Sequence, residues 1–295
     1  MRQKYGLSRV TGAMSTVIAA LTYLLARATG QRRLLDAAER MDHLNFRPVL
    51  KKTPSQHSTL RLLAAAHLAA AASAEDSHLV IQYLSHSKSQ ILQDLFAVLA
   101  SKGKKSGTFV EVGVGSGVHL SNSFLLEAAL GWEGVLVEPN RASHDSILAH
   151  RKARLETRAA ASRSGQEIDF EEMVHRGEFS RVAGTVSHDL SQDEIKRYTV
   201  KTVTMTEICE MHQLPNYIDF LSLDTEGSEL DILEGIDFDR YTFGAMAIEH
   251  NHHQEARAKM REILAPHGYR QVLQHLSDFD AWFVHNSNLN QFDAV

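Results

Sequence analysis

Four acids and one histidine in this chain stand where chemistry can be done. Asp224 follows the mostly apolar stretch Ile218 to Leu223, and Glu249-His250-Asn251 follows the run Gly244 to Ile248. Such runs read as strands buried on both faces of a sheet. In open α/β sheets, ligands sit beyond the carboxyl ends of the strands, so Asp224, Glu249 and His250 are expected on one rim. Each can accept a proton from a reacting hydroxyl, and an imidazole has its unperturbed pKa near working pH. Glu138 ends a third apolar run, Val135 to Val137. An ionised carboxylate accepts hydrogen bonds only, which suits a pair of ribose hydroxyls. Glu111 precedes the glycine run Gly113-Val114-Gly115-Ser116-Gly117.

The stretch that must position these groups runs from Thr108 to Asn140. Phe109, Val110 and Val112 form a buried strand, and the glycines let the backbone turn and approach a ligand closely. Leu120 to Leu130 has helical spacing, with Leu120, Phe124, Leu125 and Ala128 able to share a face; Gly131 and Gly134 break it. A β-α-β unit with an acid ending its second strand is a nucleotide-binding arrangement. Dinucleotide sites favour G-x-G-x-x-G around a pyrophosphate. Here the run is G-V-G-S-G with an acid before it, which suits a cationic ligand better. S-adenosylmethionine carries a sulfonium and an ammonium group and is the expected cofactor.

The whole chain has 295 residues, enough for one α/β domain with an extension. Its formal net charge of −5 excludes the large basic excess that advertises nucleic acid. The one cysteine, Cys209, excludes an intramolecular disulfide and a multi-cysteine zinc site; among Ile208, Met211 and Leu214 it reads as a buried thiol. Residues 14 to 26 are apolar behind Arg2, Lys4 and Arg9, as in a signal peptide, but the run is too short for a normal membrane span. A packed helix is the expectation, in a cytoplasmic protein with no membrane association.

Residues 1–85 read as a helical extension, with helices over Ser15 to Thr29, Gln31 to Leu44 and Thr59 to Ala74, and a connector holding Pro48 and Pro54. It is expected to cap the second region or to mediate a homodimer. Residues 86–295 form the second region. A helix opening at Ser89-Gln90 carries Leu92, Leu95, Phe96 and Leu99, with Gln90, Gln93 and Asp94 on a solvated face. A second helix is predicted over 141–155 and a short strand over Arg158 to Ser162. Gly165 to Tyr198 is polar and reads either as a substrate wall or as a solvated connector with a hairpin. A strand over Thr202 to Met205, a helix over Thr206 to Gln213, and the helices Leu230 to Leu233 and Ala256 to Leu264 follow. Tyr269 to Leu273 and Ala281 to Val284 are expected as late strands, an antiparallel pair, and the tail after His285 as frayed.

Glu226 and Glu229 can equally cap the helix that follows them. His250, His252 and His253 invite a metal reading, but adjacent histidines in an extended segment point to opposite sides. No metal ligands are assigned.

The stretches FVEVGVGSGVHLSNSFLLE (109–127), VLVEPN (135–140) and IDFLSLDTEGSELDILEGIDF (218–238), with SQILQD (89–94) and AIEHN (247–251), resemble the FkbM family of S-adenosylmethionine-dependent methyltransferases. The resemblance spans residues 87 to 285. It implies a Rossmann-like class I methyltransferase sheet, α/β with helices on both faces, seven-stranded and ending in a β-hairpin. It implies O-methylation of a hydroxyl on a sugar, glycan or natural product. Glu111, Gly113, Gly115 and Ser116 match the cofactor loop, Glu138 the ribose acid and Asp224 the fourth-strand acid. Glu111 and Ser116 stand where many members carry aspartate and asparagine. Asp224, Glu249 and His250 remain alternatives for the general base. The other readings are a metal-assisted O-methyltransferase and a non-catalytic Rossmann-like binding module.

Overall fold

The computed structural model describes residues 54–73, 75–185 and 194–292. The expected helices Ser15 to Thr29 and Gln31 to Leu44, and the apolar run 14 to 26, lie outside them. No described helix is long and apolar enough to cross a membrane.

Seven strands form the main sheet: β1 (Thr108–Val112), β2 (Glu133–Val137), β3 (Arg154–Glu156), β8 (Tyr217–Leu223), β9 (Thr242–Glu249), β10 (Tyr269–Val272) and β11 (Asp280–His285). Their order is β10-β11-β9-β8-β1-β2-β3. The five from β9 to β3 run parallel, and β11 lies antiparallel to both β9 and β10. The expected late hairpin is therefore present. Strand alternation divides the core into two layers. Phe109, Leu136, Phe220, Ala245 and Trp282 face one layer; Val110, Val137, Leu221, Met246 and Phe283 face the other.

Helices cover both faces, as near-continuous apolar strands require. On the first face lie α1 (Pro54–Ala71), α2 (Ser77–Tyr83), α3 (Gln93–Ala100) and α4 (Phe124–Leu130), with Ile147 of α5 (His144–His150). On the second lie α6 (Met205–Met211), α7 (Glu229–Glu234) and α8 (Gln254–Leu264). Every residue of α3 is buried, because α3 sits between the sheet and the helices before it. Leu68, Leu79 and Tyr83 share one apolar cluster with Leu95 and Phe96, so the core runs unbroken across residue 85. Cys209 is buried in the second layer, and burial pushes its thiol up to about 12.

Several expected boundaries shift for physical reasons. Helix α1 is described over Pro54–Ala71, longer at its start than the expected Thr59 to Ala74 and ending three residues earlier. Helix α3 starts at Gln93, because Leu92 adopts φ +74° and breaks the turn. Gln93 and Asp94 are buried, not solvated: Asp94 accepts from the Ser87 and Ser89 hydroxyls and from the Lys88 amide, and Gln93 donates to Asp280. Helix α4 starts at Phe124 rather than Leu120, which has φ +62°, and it buries Leu125, Leu126 and Leu130. The helix predicted over 141–155 ends at His150, and the third main strand is Arg154–Glu156, not Arg158 to Ser162. Within the latter, Ala159–Ala160 forms β4 of a second sheet. That sheet has the order β4-β7-β5-β6, from β5 (Glu167–Met173), β6 (Arg181–Val182) and β7 (Ile195–Val203). The tail is not frayed through its described part: Phe292 is buried, 5.8 Å from the Phe96 ring, which stacks on Trp282 at 4.8 Å.

Candidate active site

Beyond the carboxyl ends of β1 and β8, where the strand order reverses, lies a cavity of about 400 Å³. Both position and size are those of small-molecule sites, which run from roughly 300 to 1,000 Å³. Gly113, Val114 and Gly115 form one side, and Glu138, Asp224, Glu226 and Glu249 supply acids. The second sheet closes it with Ala159, Ala160, Phe170 and residues 177–182. Of the two readings of the polar 165–198 stretch, the described part is thus a wall of this cavity.

Strand ends and one glycine set the geometry. The Gly113 amide donates to the Val137 carbonyl, and the Asp224 amide donates to the Val112 carbonyl. Gly113 has φ +79°, and a Cβ there would lie 1.6 Å from the Asp224 carbonyl oxygen, so no other residue fits. Gly115, at φ +55°, has open space where a Cβ would be.

Glu138 is tied to this loop. Its carboxylate accepts from the Val114 amide at 3.0 Å, the Gly115 amide at 2.7 Å and the Asn140 amide at 2.8 Å. Burial nonetheless pushes its pKa up to about 7, against those three amides. Asp224 is pushed up to about 7 by burial and then by the charges of Glu226 and Glu229. A hydrogen bond joins it to Glu249. Burial, then Asp224, raises Glu249 further, to about 12, so Glu249 holds the proton of this pair at neutral pH. Glu226 is also raised to about 7 by burial and Glu229, opposed by Arg181. Glu229 itself folds the turn: its carboxylate accepts from the Thr225 amide and hydroxyl, each at 2.8 Å, and from the Gly227 amide at 3.2 Å. Of the two acids read as caps, neither caps the helix, whose N-cap is Ser228: Glu229 braces the turn before it and Glu226 lines the cavity.

The structure brings Gly113, Gly115, Glu138, Asp224 and Glu249 together and leaves three expected residues outside. Glu111 does not line the cavity. Its carboxylate accepts from the Ser121 and Ser123 hydroxyls and the Asn122 amide, and lies 3.8 Å from the Arg151 guanidinium. Ser116 is exposed and accepts from the His119 amide. His250 is buried beside the cavity but does not line it. Strand β9 ends at Glu249, and His250, next in the chain, is buried off the cavity, while the positive φ of Asn251 and His252 turns those two residues back to it. Burial lowers the His250 pKa, so its imidazole is neutral.

Other cavity residues were not anticipated. Gln90 reaches it because Ser89 bridges to Leu120 of the glycine loop. Phe279 reaches it because its carbonyl accepts from the His250 and Asn251 amides, closing the β10–β11 loop over β9. The Asn251-His252 pair has positive φ, +45° and +61°, and carries both residues to the opening.

A family model described as the methyltransferase FkbM domain matches residues 111–271, more than half of the chain. The chain belongs to the FkbM methyltransferase family. This methyltransferase carries the Rossmann-like α/β sheet that the family resemblance implies, and it is an enzyme of the S-adenosylmethionine-dependent class. Among solved structures it is similar to a candidate RNA methyltransferase from Pyrococcus horikoshii, at 13% identity over 65% of this chain and 81% of that one, with a TM-score of 0.34. It is similar also to the precorrin-6y C5,15-methyltransferase of Geobacter metallireducens, at 11% identity over 65% and 84% of the two chains, TM-score 0.34. No curated protein matches it.

Proposed function

We propose that this methyltransferase methylates a hydroxyl oxygen of a sugar, glycan or other small natural product, in the cytoplasm, with S-adenosylmethionine as donor. The residues fit that cofactor. Glu138 faces the cavity while fixed to the glycine loop, and the one lone pair that its three amide donors leave free is placed for a ribose hydroxyl. The open side of Gly115 leaves the loop backbone accessible, and the acids beyond it favour a cationic ligand. When bound, the cofactor supplies an activated, electrophilic methyl group.

The observation that carries the hydroxyl reading is the Asp224–Glu249 pair. A sugar or alkyl hydroxyl must lose its proton as the new bond forms. Asp224 lines the cavity with its pKa near 7, where a general base works best. Glu249, keeping its proton, donates to Asp224 and holds it in place. The wall of residues 177–182 narrows access for water and aligns the acceptor.

The test is a turnover assay with labelled S-adenosylmethionine against a panel of hydroxyl, amine and carbon acceptors, with the methylated atom located by NMR. The reading requires methyl on oxygen. Methyl on nitrogen or carbon would overturn it.

A further inference from the structure

We propose that Asp224, Glu226 and Glu249 hold a divalent, oxygen-liganded cation. Each of the three offers one carboxylate oxygen, and these atoms all lie within 4.8 Å of one another. Two oxygens bound 2.0–2.6 Å from one ion can be no more than about 4–5 Å apart, so the span matches a common ion.

Proximity of acids is not the whole argument. Glu226 and Glu249 are each 6% exposed, and in each the Oε2 atom is buried with no hydrogen-bond partner. Both side chains line the same cavity as Asp224. A buried carboxylate oxygen without a donor is costly, and two beside each other are costlier. Glu229, one turn away, shows the contrast, since the Thr225 and Gly227 amides satisfy its oxygen. Shared protons relieve part of the repulsion in this cluster, but a shared proton leaves both Oε2 atoms without partners. A cation in the gap would satisfy both at once.

The donor set chooses the ion. Three carboxylates and no thiolate or imidazole favour Mg²⁺, Mn²⁺ or Ca²⁺ over zinc or copper. Cys209 lies in the core, and His250 does not line the cavity. Asp224 packs directly against Gly113, so the ion would sit beside the cofactor loop. Binding the ion would displace the Glu249 proton and occupy Asp224, so in the loaded enzyme the ion would replace Asp224 as the group that activates the hydroxyl. That role rests on the methyl-transfer reading, with remaining positions on the ion taking acceptor oxygens, lowering the hydroxyl pKa and favouring acceptors with a second oxygen next to the reacting one. Binding of the ion itself does not rest on that reading.

The experiment is a titration of Mn²⁺ into the full chain without S-adenosylmethionine, followed by electron paramagnetic resonance, with Mg²⁺ as competitor. One bound Mn²⁺ per chain is expected. Glu226→Gln and Glu249→Gln should each weaken it by roughly tenfold or more. Glu138→Gln should leave Mn²⁺ binding unchanged while weakening S-adenosylmethionine. Paramagnetic broadening of the Gly113 and Gly227 amides in the unmutated protein locates the ion even if a variant fails to fold. No Mn²⁺ bound at millimolar concentration, or binding by both Gln variants as tight as the parent's, or broadening elsewhere only, would overturn the proposal. S-adenosylmethionine titrated into the same samples reports separately on the methyltransferase reading.

Discussion

Glu111 and Glu249 are both glutamates near the carboxyl ends of central strands, and both are buried, at 1% and 6% exposure. Their surroundings differ completely. Glu111 meets two hydroxyls, a backbone amide and a guanidinium. That guanidinium, Arg151, has no exposed side-chain surface and also donates to the Gly117 carbonyl, to Ser121, to Ser123 and to Glu127. Glu249 meets mainly other acids and keeps an oxygen without a partner. A buried carboxylate that is fully satisfied holds a shape, here that of the glycine loop. One left unsatisfied must exchange a proton or a ligand, and that is where chemistry is expected.

The comparison breaks most visibly at Asp224. Asp224→Asn is nearly isosteric, so the fold should persist while kcat falls roughly 10²–10⁴-fold, the usual contribution of a positioned base. In the unmutated enzyme kcat should rise with pH through about 7, as Asp224 loses its proton, and that limb should vanish in the variant. Retained kcat and an unchanged pH profile would move the base elsewhere.

On the satisfied side, Arg151→Ala leaves Glu111 as a buried charge without its cation. It should cost about 3–5 kcal/mol of stability in denaturant unfolding. Pairing it with Glu111→Leu should recover much of that loss, because the stranded charge is gone. If the single variant melts like the parent, the network is ornament rather than scaffold.

The unsatisfied side should also show in stability against pH. Glu138 and Glu226 have folded pKa values raised from about 4.5 to about 7. Their folded forms therefore hold protons that the unfolded chain releases. The resulting stability is complete below about 4.5 and is lost as pH rises through about 7. At roughly 1.4 kcal/mol per pH unit of displacement, Glu138 alone costs on the order of 3 kcal/mol above that range. In EDTA, without cofactor, the melting temperature should fall between about pH 5 and pH 8. Glu138→Gln should flatten the fall, and a melting temperature that rises over this range would contradict the assignment.

The smallest effect on turnover belongs to His250. It is buried outside the cavity, so His250→Ala should change kcat far less than the roughly 10²-fold of a lost base. A large loss recovered at high pH would restore the histidine to the site.

These contrasts also explain how much was legible in the sequence. The main sheet was, because central strands such as Ile218 to Leu223 are mostly apolar, broken only by Asp219 and Ser222, and the acids after them mark the rim. The wall was not. In β5 and β7 most side chains are polar, and only Phe170 and Val200 with a few neighbours pack a small cluster, so no buried-strand pattern arises. The roles of individual acids were half legible. Type and spacing placed Glu138, Asp224 and Glu249, but could not say that Arg151, forty residues on, satisfies Glu111. Nor could they say that Glu226, at φ +59°, turns into the cavity while Glu229 caps the loop. Partners distant in sequence decide those roles, and one chain's spacing does not carry them.

The central claim is that the glycine loop, Glu138 and the acidic rim form one S-adenosylmethionine site. Isothermal titration of S-adenosylmethionine into the unmutated protein, Glu138→Ala and Glu111→Gln tests it most directly. One site per chain is expected. Glu138→Ala should weaken it by roughly 1.5–3 kcal/mol, the usual contribution of one hydrogen bond to a charged group. Glu111→Gln, if folded, should weaken it less, since Glu111 acts only through the loop. No binding to the folded parent, or unchanged affinity in a folded Glu138→Ala, would contradict the account.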